Sequence, residues 1–462
     1  MSRKSPQVGI KESISQLIET GKFGQAETLL SEFHALFPED SEFFSMQACI
    51  HMMQARLDLA EKYLLDGLAV AETDGDLLYN LAYLRNLRQE TGKAQAAYFK
   101  LRLLATGPYD YDSVRPQKPA PDSAGPLRVL QGTMEIANQM HTLTQQLRAQ
   151  GVEARALNYF STYLGYDEDY VFDIGRFKDI AQADRAVKQF VADLVPDFDI
   201  FHFHFGTSLT LDNADMPVLK EMGKKILMHH WGSEVRRLSA ARRNNPYVEV
   251  KSKDERAISK ALEKLGRHID HCIVCDQELA GYVKNYYNHV HILPQAINLD
   301  NYPPPKTPER ANGKFTIVHA PTSPQIKGTA HLIKAIEELS GKYDIDFKLV
   351  QGVSHAQAKE IYRGADLVVD QLLIGCYGLV SIECMAMGKP VVCYIMDYMK
   401  HKYPRDLPLI SANPDNIKTV LRRLLDNRDM LREVGQQGIS YVASYHDVRK
   451  LCRQLRSIYE QM

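Results

Sequence analysis

The chain has 462 residues, of which 45% are hydrophobic and 24% charged, with a net charge of −1. That length exceeds one ordinary core and implies two to four domains of roughly 100–200 residues each. The composition excludes whole-chain disorder, and the balanced charge speaks against a nucleic-acid partner. The segment MSRKSPQVGIKESISQ has no apolar core or cleavage signature. No stretch approaches the roughly 18 apolar residues of a membrane span. A cytoplasmic location is therefore expected. Seven cysteines in this length do not make a secreted disulfide framework. Cys272 and Cys275 lie in the strand-like run HCIVCDQ. Residues three apart on a strand face opposite sides, so a metal or redox role for the pair is not expected.

The first hundred residues carry helical spacing and an internal repeat. Ala26, Ala60 and Ala94 recur at a spacing of 34, the period of a tetratricopeptide repeat. The first unit runs from Gly21 to Pro38, and Pro38 ends its second helix. Later copies are weaker, with Glu72 where Pro38 stands in the first. Two to three degenerate repeats are expected within residues 1–105, and repeats of this kind bind proteins or peptides. Residues 106–125 are rich in Pro, Gly and Asp and read as a linker.

From residue 126 the pattern changes. The run LRVLQG leads through Gly132 into a helix that ends near Gly151, and VEARALNY follows. This opens a βαβ unit. Further strands are expected at 198–205, 224–230, 271–275 and 289–294, completing one doubly wound half over 126–300. The proline-rich stretch 298–314 reads as a hinge. A second half over 301–443 alternates strand and helix: KFTIVHAP, a helix from about 328, FKLVQGV, HAQAKEIYRGA, DLVVDQL, LVSIECMAMG and PVVCYI. The last helix, 444–462, is expected to cross back to the first half. Two such halves imply a cleft, with ligands beyond the carboxyl ends of the strands.

The most informative segment is DQLLIGCYGLVSIECMAMGKPVV, 370–392. A strand ends at Asp370, and the loop through Gly375, Tyr377 and Gly378 enters a helix at Leu379. A helix N-terminus suits a phosphate, and Gly378 lets a ligand approach the backbone. Glu383 falls one turn inside, where a carboxylate can accept bonds from two neighbouring sugar hydroxyls. On spacing alone, a solvated glutamate on an ordinary strand–loop–helix fits equally well. In HAPTSPQIKGTAHLIKAI, 319–336, Lys327 and Gly328 stand at another helix start, where an ammonium can neutralise a diphosphate leaving group.

These motifs resemble the donor-binding signature of glycosyltransferase family 4, a large retaining family, over about residues 126–450. Glu383 matches the second Glu of the family's Glu-x7-Glu, which holds the nucleotide ribose. Tyr377-Gly378-Leu379 matches the loop around the diphosphate, and Cys384 to Pro390 matches the tail. The resemblance implies the GT-B fold: two Rossmann-like doubly wound α/β domains facing a cleft, here preceded by an all-α domain. The first Glu, which in the family contacts the transferred sugar, is Gly375 here. A subgroup of similar enzymes has the form Asp-Gln-x-x-x-Gly-x-Tyr-Gly, which residues 370–378 match, and Asp370 could supply a carboxylate nearby. Lys327-Gly328 matches the Lys-Gly that meets the diphosphate. The accompanying Arg is absent, and Thr322 and Ser323 could offer hydroxyl donors instead.

In the first half, Gly132-Thr133 matches the glycine turn facing the donor phosphates. His204, at the end of HFHF, matches a histidine near the reacting sugar; a hydrogen-bonded structural histidine is the alternative. Glu234 and Arg236 resemble the Gly-Ser-Asp-x-Arg turn on the acceptor side. The six histidines from 202 to 271 lack metal-ligand spacing, so neither a metal nor another cofactor is expected. Arg236, Arg237, Arg242, Arg243, Lys251 and Lys253 read as a solvated helix or as a peripheral contact with the inner face of a membrane.

The resemblance thus implies hexosyl transfer from a nucleoside diphosphate sugar to a glycan, lipid-linked or protein hydroxyl. Lys327, Asp370 and His204 would stand at the chemistry, with no divalent ion. Three alternatives stay open: a nucleotide-sugar epimerase, a non-catalytic scaffold working through the repeats, and a protein-modifying transferase that reads its target through them.

Overall fold

A computed structural model of the chain describes residues 6–116, 125–160, 168–304 and 314–462. Parts of the expected linker (117–124) and hinge (305–313) lie outside them. Contacts divide the chain into two units: residues 1–125 with 176–199 and 209–224, and the remainder.

The first unit begins with three helix pairs: α1 (Pro6–Glu19) and α2 (Phe23–Leu36), α3 (Glu42–Met53) and α4 (Leu57–Val70), and α5 (Gly75–Leu87) and α6 (Thr91–Leu104). The second helix of each pair starts 34 residues after the previous one. Ala26, Ala60 and Ala94 are all fully buried. A left-handed residue precedes each second helix at the same spacing: Gly21 (φ 71°), Ala55 (φ 59°) and Gln89 (φ 60°). Only the first copy spends a glycine there, although glycine adopts this conformation most readily. Two helices from later in the chain join this unit, α8 (Ile180–Leu194) and α9 (Asp215–Glu221). Helix α8 buries Ala183, Val187 and Val191 at a spacing of four, which gives it one apolar face. The Tyr98 hydroxyl donates to Glu221, 3.0 Å away, and Lys100 pairs with Asp193 at 2.9 Å.

The second unit contains two parallel sheets. The first is ordered β3-β2-β1-β4-β5-β6-β7: Tyr170–Val171, Glu153–Asn158, Arg128–Thr133, Ile200–His204, Lys225–His230, His271–Val274 and His289–Ile292. Helix α7 (Gln139–Ala149) joins β1 to β2. The second sheet is ordered β11-β10-β8-β9: Val391–Val392, Leu367–Val369, Phe315–His319 and Ile345–Leu349. Helices α14 (Thr329–Ser340), α15 (His355–Arg363) and α16 (Leu379–Ala386) connect its strands. Sequences such as FTIVH lack strict alternation and are buried along their whole length, as parallel strands covered on both faces require.

The C-terminal helix α20 (Val448–Gln461) lies on the first sheet: Cys452, Leu455 and Tyr459 share a core with Val129, Leu147, Ile200 and Leu227. It is preceded by α19 (Asp429–Tyr445), which belongs with the second half. Strand order reverses between β1 and β4 in one sheet and between β8 and β10 in the other. Ligands of such sheets bind beyond these switch points.

Candidate functional site

Beyond the β8–β10 switch point, two sequence-predicted residues meet. Lys327, on the one-turn helix Pro324–Lys327, donates from Nζ to Asp370 Oδ1 at 2.5 Å. Asp370 follows β10 and is buried. Its Oδ2 accepts from Ser381 Oγ at 2.7 Å and from the Gly378 N–H at 3.3 Å. Burial alone would push this carboxyl up, but the ammonium, the hydroxyl and the amide together hold it below the ordinary range. Asp370 therefore ties Lys327 to the N-terminal turn of α16. It holds the cation in place and is itself fully engaged.

Gly328 (φ +79°) starts α14. A Cβ there would meet the side chains of Leu372 and Leu373 at 3.0–3.1 Å, so these leucines pack directly on the Lys-Gly turn. Thr322 is exposed and Ser323 half-buried beside it. Gly378 and Leu379 form the half-exposed entry to α16. Tyr377 points elsewhere: its hydroxyl lies 3.1 Å from both Tyr441 Oη and His446 Nε2. In the segment Tyr377-Gly378-Leu379, where the diphosphate loop is expected, the tyrosine side chain packs into the core.

Glu383 is buried, not solvated. Its Oε1 accepts from the Tyr302 hydroxyl and from His355 Nε2, both at 2.7 Å. Among the described residues, no donor reaches Oε2. Tyr302, on the segment joining the two halves, and His355, at the start of α15, carried no motif by which to find them. The buried His319 had one signal, a polar residue in an apolar strand. Its Nδ1–H donates to Val369 O at 2.7 Å, so Nε2 accepts from Thr329 Oγ1 at 2.8 Å.

At the β1–β4 switch point of the other sheet, Gly132 and Thr133 end β1. The Thr133 hydroxyl donates to Ser208 O at 3.1 Å, and its amide donates to Thr207 Oγ1 at 3.3 Å. His204 is fully buried with both ring nitrogens engaged. Trp231 Nε1, a donor only, lies 3.2 Å from Nδ1, which places the proton on Nε2, 3.1 Å from Gln131 Oε1. Burial pushes the imidazole down to about 3. His204 is thus a hydrogen-bonded member of the wall.

The histidines are less dispersed than their spacing suggested. His202, His204 and His229 converge on one face, with ligand atoms within 4.8 Å of one another. His202 Nε2 and both nitrogens of His229 have no hydrogen-bond partner among the described residues. The proton on His204 Nε2 and the Trp231 bond at Nδ1 leave that ring no lone pair for a shared ion in this arrangement.

Glu234 and Arg236 brace the turn after β5. Glu234 accepts from the Trp231 and Gly232 amides at 2.6 and 2.9 Å and faces His230. Burial opposes its charge, yet these bonds hold its carboxyl low. Arg236 clasps Glu278 through Nε and Nη2, at 2.8–3.1 Å. The expected basic helix is not one. After α10 (Leu238–Ala241), residues 242–254 are not helical, and Arg236 and Arg237 bond internally, Arg237 to the Tyr286 hydroxyl at 2.7 Å.

Sequence reasoning also missed Asn245. It is buried in the first half, and its Nδ2 donates to the main-chain oxygens of Leu373 and Ile374, 2.7 and 2.9 Å away in the loop after β10. Nothing in its sequence context distinguishes it from a solvated loop residue.

No family model matches the chain. It is 29% identical over 129 residues to an uncharacterized glycosyltransferase of Methanocaldococcus jannaschii, a stretch covering 27% of this chain and 30% of that protein. Among solved structures it is similar to Anabaena HepE in complex with UDP-glucose, with a TM-score of 0.52 at 10% identity over 73% of this chain and 100% of that one. It is also similar to sucrose-phosphate synthase from Thermosynechococcus elongatus, with a TM-score of 0.50 at 13% identity over 72% and 98%. No helix among the described residues is long and apolar enough to cross a membrane. With two Rossmann-like sheets and a last helix that returns to the first of them, the chain has the GT-B fold, and over part of its length it is homologous to a glycosyltransferase.

Proposed function

We propose that this chain is a glycosyltransferase that moves a hexosyl group from a nucleoside diphosphate sugar to a hydroxyl on a glycan, lipid-linked or protein acceptor, with retention. The observation that carries the reading is the buried Lys327–Asp370 pair at the switch point of the second sheet, tied to the N-terminus of α16. As the bond between the sugar carbon and the diphosphate breaks, negative charge grows on the leaving phosphate. Lys327 and the amides of the first turn of α16 are aimed where that charge develops, and a pre-oriented cation and dipole lower the barrier most there. Asp370 keeps the ammonium oriented. Glu383 Oε2 is available to the ribose hydroxyls while Tyr302 and His355 fix its partner oxygen. Charge neutralisation by Lys327 and the helix makes a divalent ion unnecessary in this reading.

The β1–β4 wall with Thr133, His204 and Trp231 would face the sugar and acceptor. The 34-residue helix pairs fit tetratricopeptide-like repeats and a protein partner. The test is turnover: UDP-glucose and other nucleoside diphosphate sugars incubated with the chain and candidate acceptors, with Lys327→Ala as control. Release of the diphosphate without acceptor glycosylation, or turnover that survives Lys327→Ala intact, contradicts the reading.

A further inference from the structure

On the reading above, the nucleotide runs from Glu383 to the N-terminus of α16. The chain upstream of Gly378, residues 373–377, is then what remains on that loop to meet the sugar. Its shape is set from outside the second half. Asn245 follows α10 in the first half, is about 1% exposed, and spends both amide hydrogens on the Leu373 and Ile374 carbonyls. Its Oδ1 accepts from the Tyr247 amide at 3.0 Å, so the side chain cannot turn away without losing all three bonds.

The next residue, Gly375, is left-handed (φ +85°), and its carbonyl accepts from the Met396 amide at 2.9 Å. A Cβ on Gly375 would lie 3.0 Å from Asn245 Nδ2 and 3.0 Å from Met396 Cβ. Any side chain at 375 therefore meets both backbone strain and the Asn245 amide. The rest of the site does not depend on this clamp. Gly378 and Ser381 are held by Asp370, and Glu383 by Tyr302 and His355.

We propose that Asn245 is a positioning residue that determines donor specificity: it holds the 373–375 backbone in the shape that receives the transferred sugar, in space where a side chain at 375 would otherwise stand. This rests on the donor-site reading above.

The test compares two ligands, UDP and UDP-glucose, titrated calorimetrically into the native chain, Asn245→Asp and Asn245→Ala. Asn245→Asp keeps the size but turns a carboxylate toward two carbonyl oxygens. UDP affinity should stay within about twofold in both variants, while UDP-glucose affinity falls at least about tenfold. Gly375→Ala should reproduce that split, because its methyl group pushes on the same amide. Hydrogen exchange over 371–376 should quicken in both Asn245 variants.

Equal losses for the two ligands, or no loss, overturn the assignment while leaving the donor site standing. Unchanged exchange overturns it without reference to any ligand. A native chain that binds neither these two nor any other nucleoside diphosphate and its sugar overturns the donor-site reading, and this assignment with it.

Discussion

Lys327 Nζ lies 2.5 Å from Asp370 Oδ1, and the aspartate is fully shielded from solvent while the lysine keeps a small exposed fraction. A buried carboxylate of this kind is stable only while its partner stays, and removing one member of such a pair costs more than the pair contributes. Lys327→Ala should destabilise the chain by on the order of 3 kcal/mol and lower turnover by at least about a hundredfold. Asp370→Asn should spare more stability than Lys327→Ala but still reduce turnover, because the ammonium loses its anchor. Urea unfolding and initial rates check both.

Tyr302 and His355 hold Glu383 Oε1, and in the proposed function Oε2 meets the ribose. Glu383→Gln keeps the shape but weakens the acceptors, and loss of a charged hydrogen bond costs about 1.5–3 kcal/mol. Nucleoside diphosphate affinity should therefore fall about ten- to a hundredfold in calorimetry, with the sugar-specific contribution untouched. Equal affinity in the variant would place the ribose elsewhere.

Five buried histidines set an acid limit. Burial pushes His204 to about 3 and His319 and His446 to about 4. It also drives His202 and His229 well below the ordinary 6.5. The folded state keeps these rings neutral, whereas the unfolded chain binds protons below pH 6.5. Their stabilising contribution is therefore present above pH 6.5 and is lost as pH falls toward 4. Urea midpoints should drop steadily from pH 7 to 5. His229→Phe preserves the stacking on Trp231, whose ring centroid is 4.0 Å away, and removes two unpartnered buried nitrogens. It should match or exceed native stability at pH 7 and flatten the acid slope.

The helix pairs make an unusual forecast for glycine. Ala55 and Gln89 hold left-handed backbone where the first repeat has Gly21. Ala55→Gly and Gln89→Gly should each stabilise the helical unit, by about 0.5–1 kcal/mol, although glycine ordinarily costs that much near helices. Circular dichroism through a urea titration measures it.

This conservation of conformation without conservation of residue explains what could be read from the sequence. The fully buried alanines at 26, 60 and 94 must stay small, so the 34-residue period survived in the chain. The left-handed residues tolerate substitution at modest cost, so that signal faded. Central strands such as β1, β8 and β10 were legible because strands covered on both faces carry apolar residues without strict alternation. The two-residue β3 was not, because two residues carry no period.

Within the candidate site, Lys327, Gly378 and Glu383 stood out through the family motif they resemble, since spacing alone left Glu383 equally well read as a solvated helix residue. Asp370's partner Ser381, Glu383's partners Tyr302 and His355, and Asn245 on the neighbouring 373–374 backbone come from segments distant in sequence or from ordinary helix and loop positions, and only the fold brings them in. The membership of α8 and α9 in the helical unit was equally hidden, since local pattern specifies a helix and not what it packs against.

The proposed function stands on a nucleoside diphosphate sugar bound at Lys327, the N-terminus of α16 and Glu383. The most direct test is a melting curve of the native chain and of Glu383→Ala across a panel of nucleoside diphosphate sugars at millimolar concentration. A specific donor at about a hundredfold above its Kd should add about 2.7 kcal/mol and raise the native melting temperature, with the shift largely lost in the variant. A panel in which no nucleotide moves the native transition, or in which Glu383→Ala responds as the native chain does, contradicts the claim.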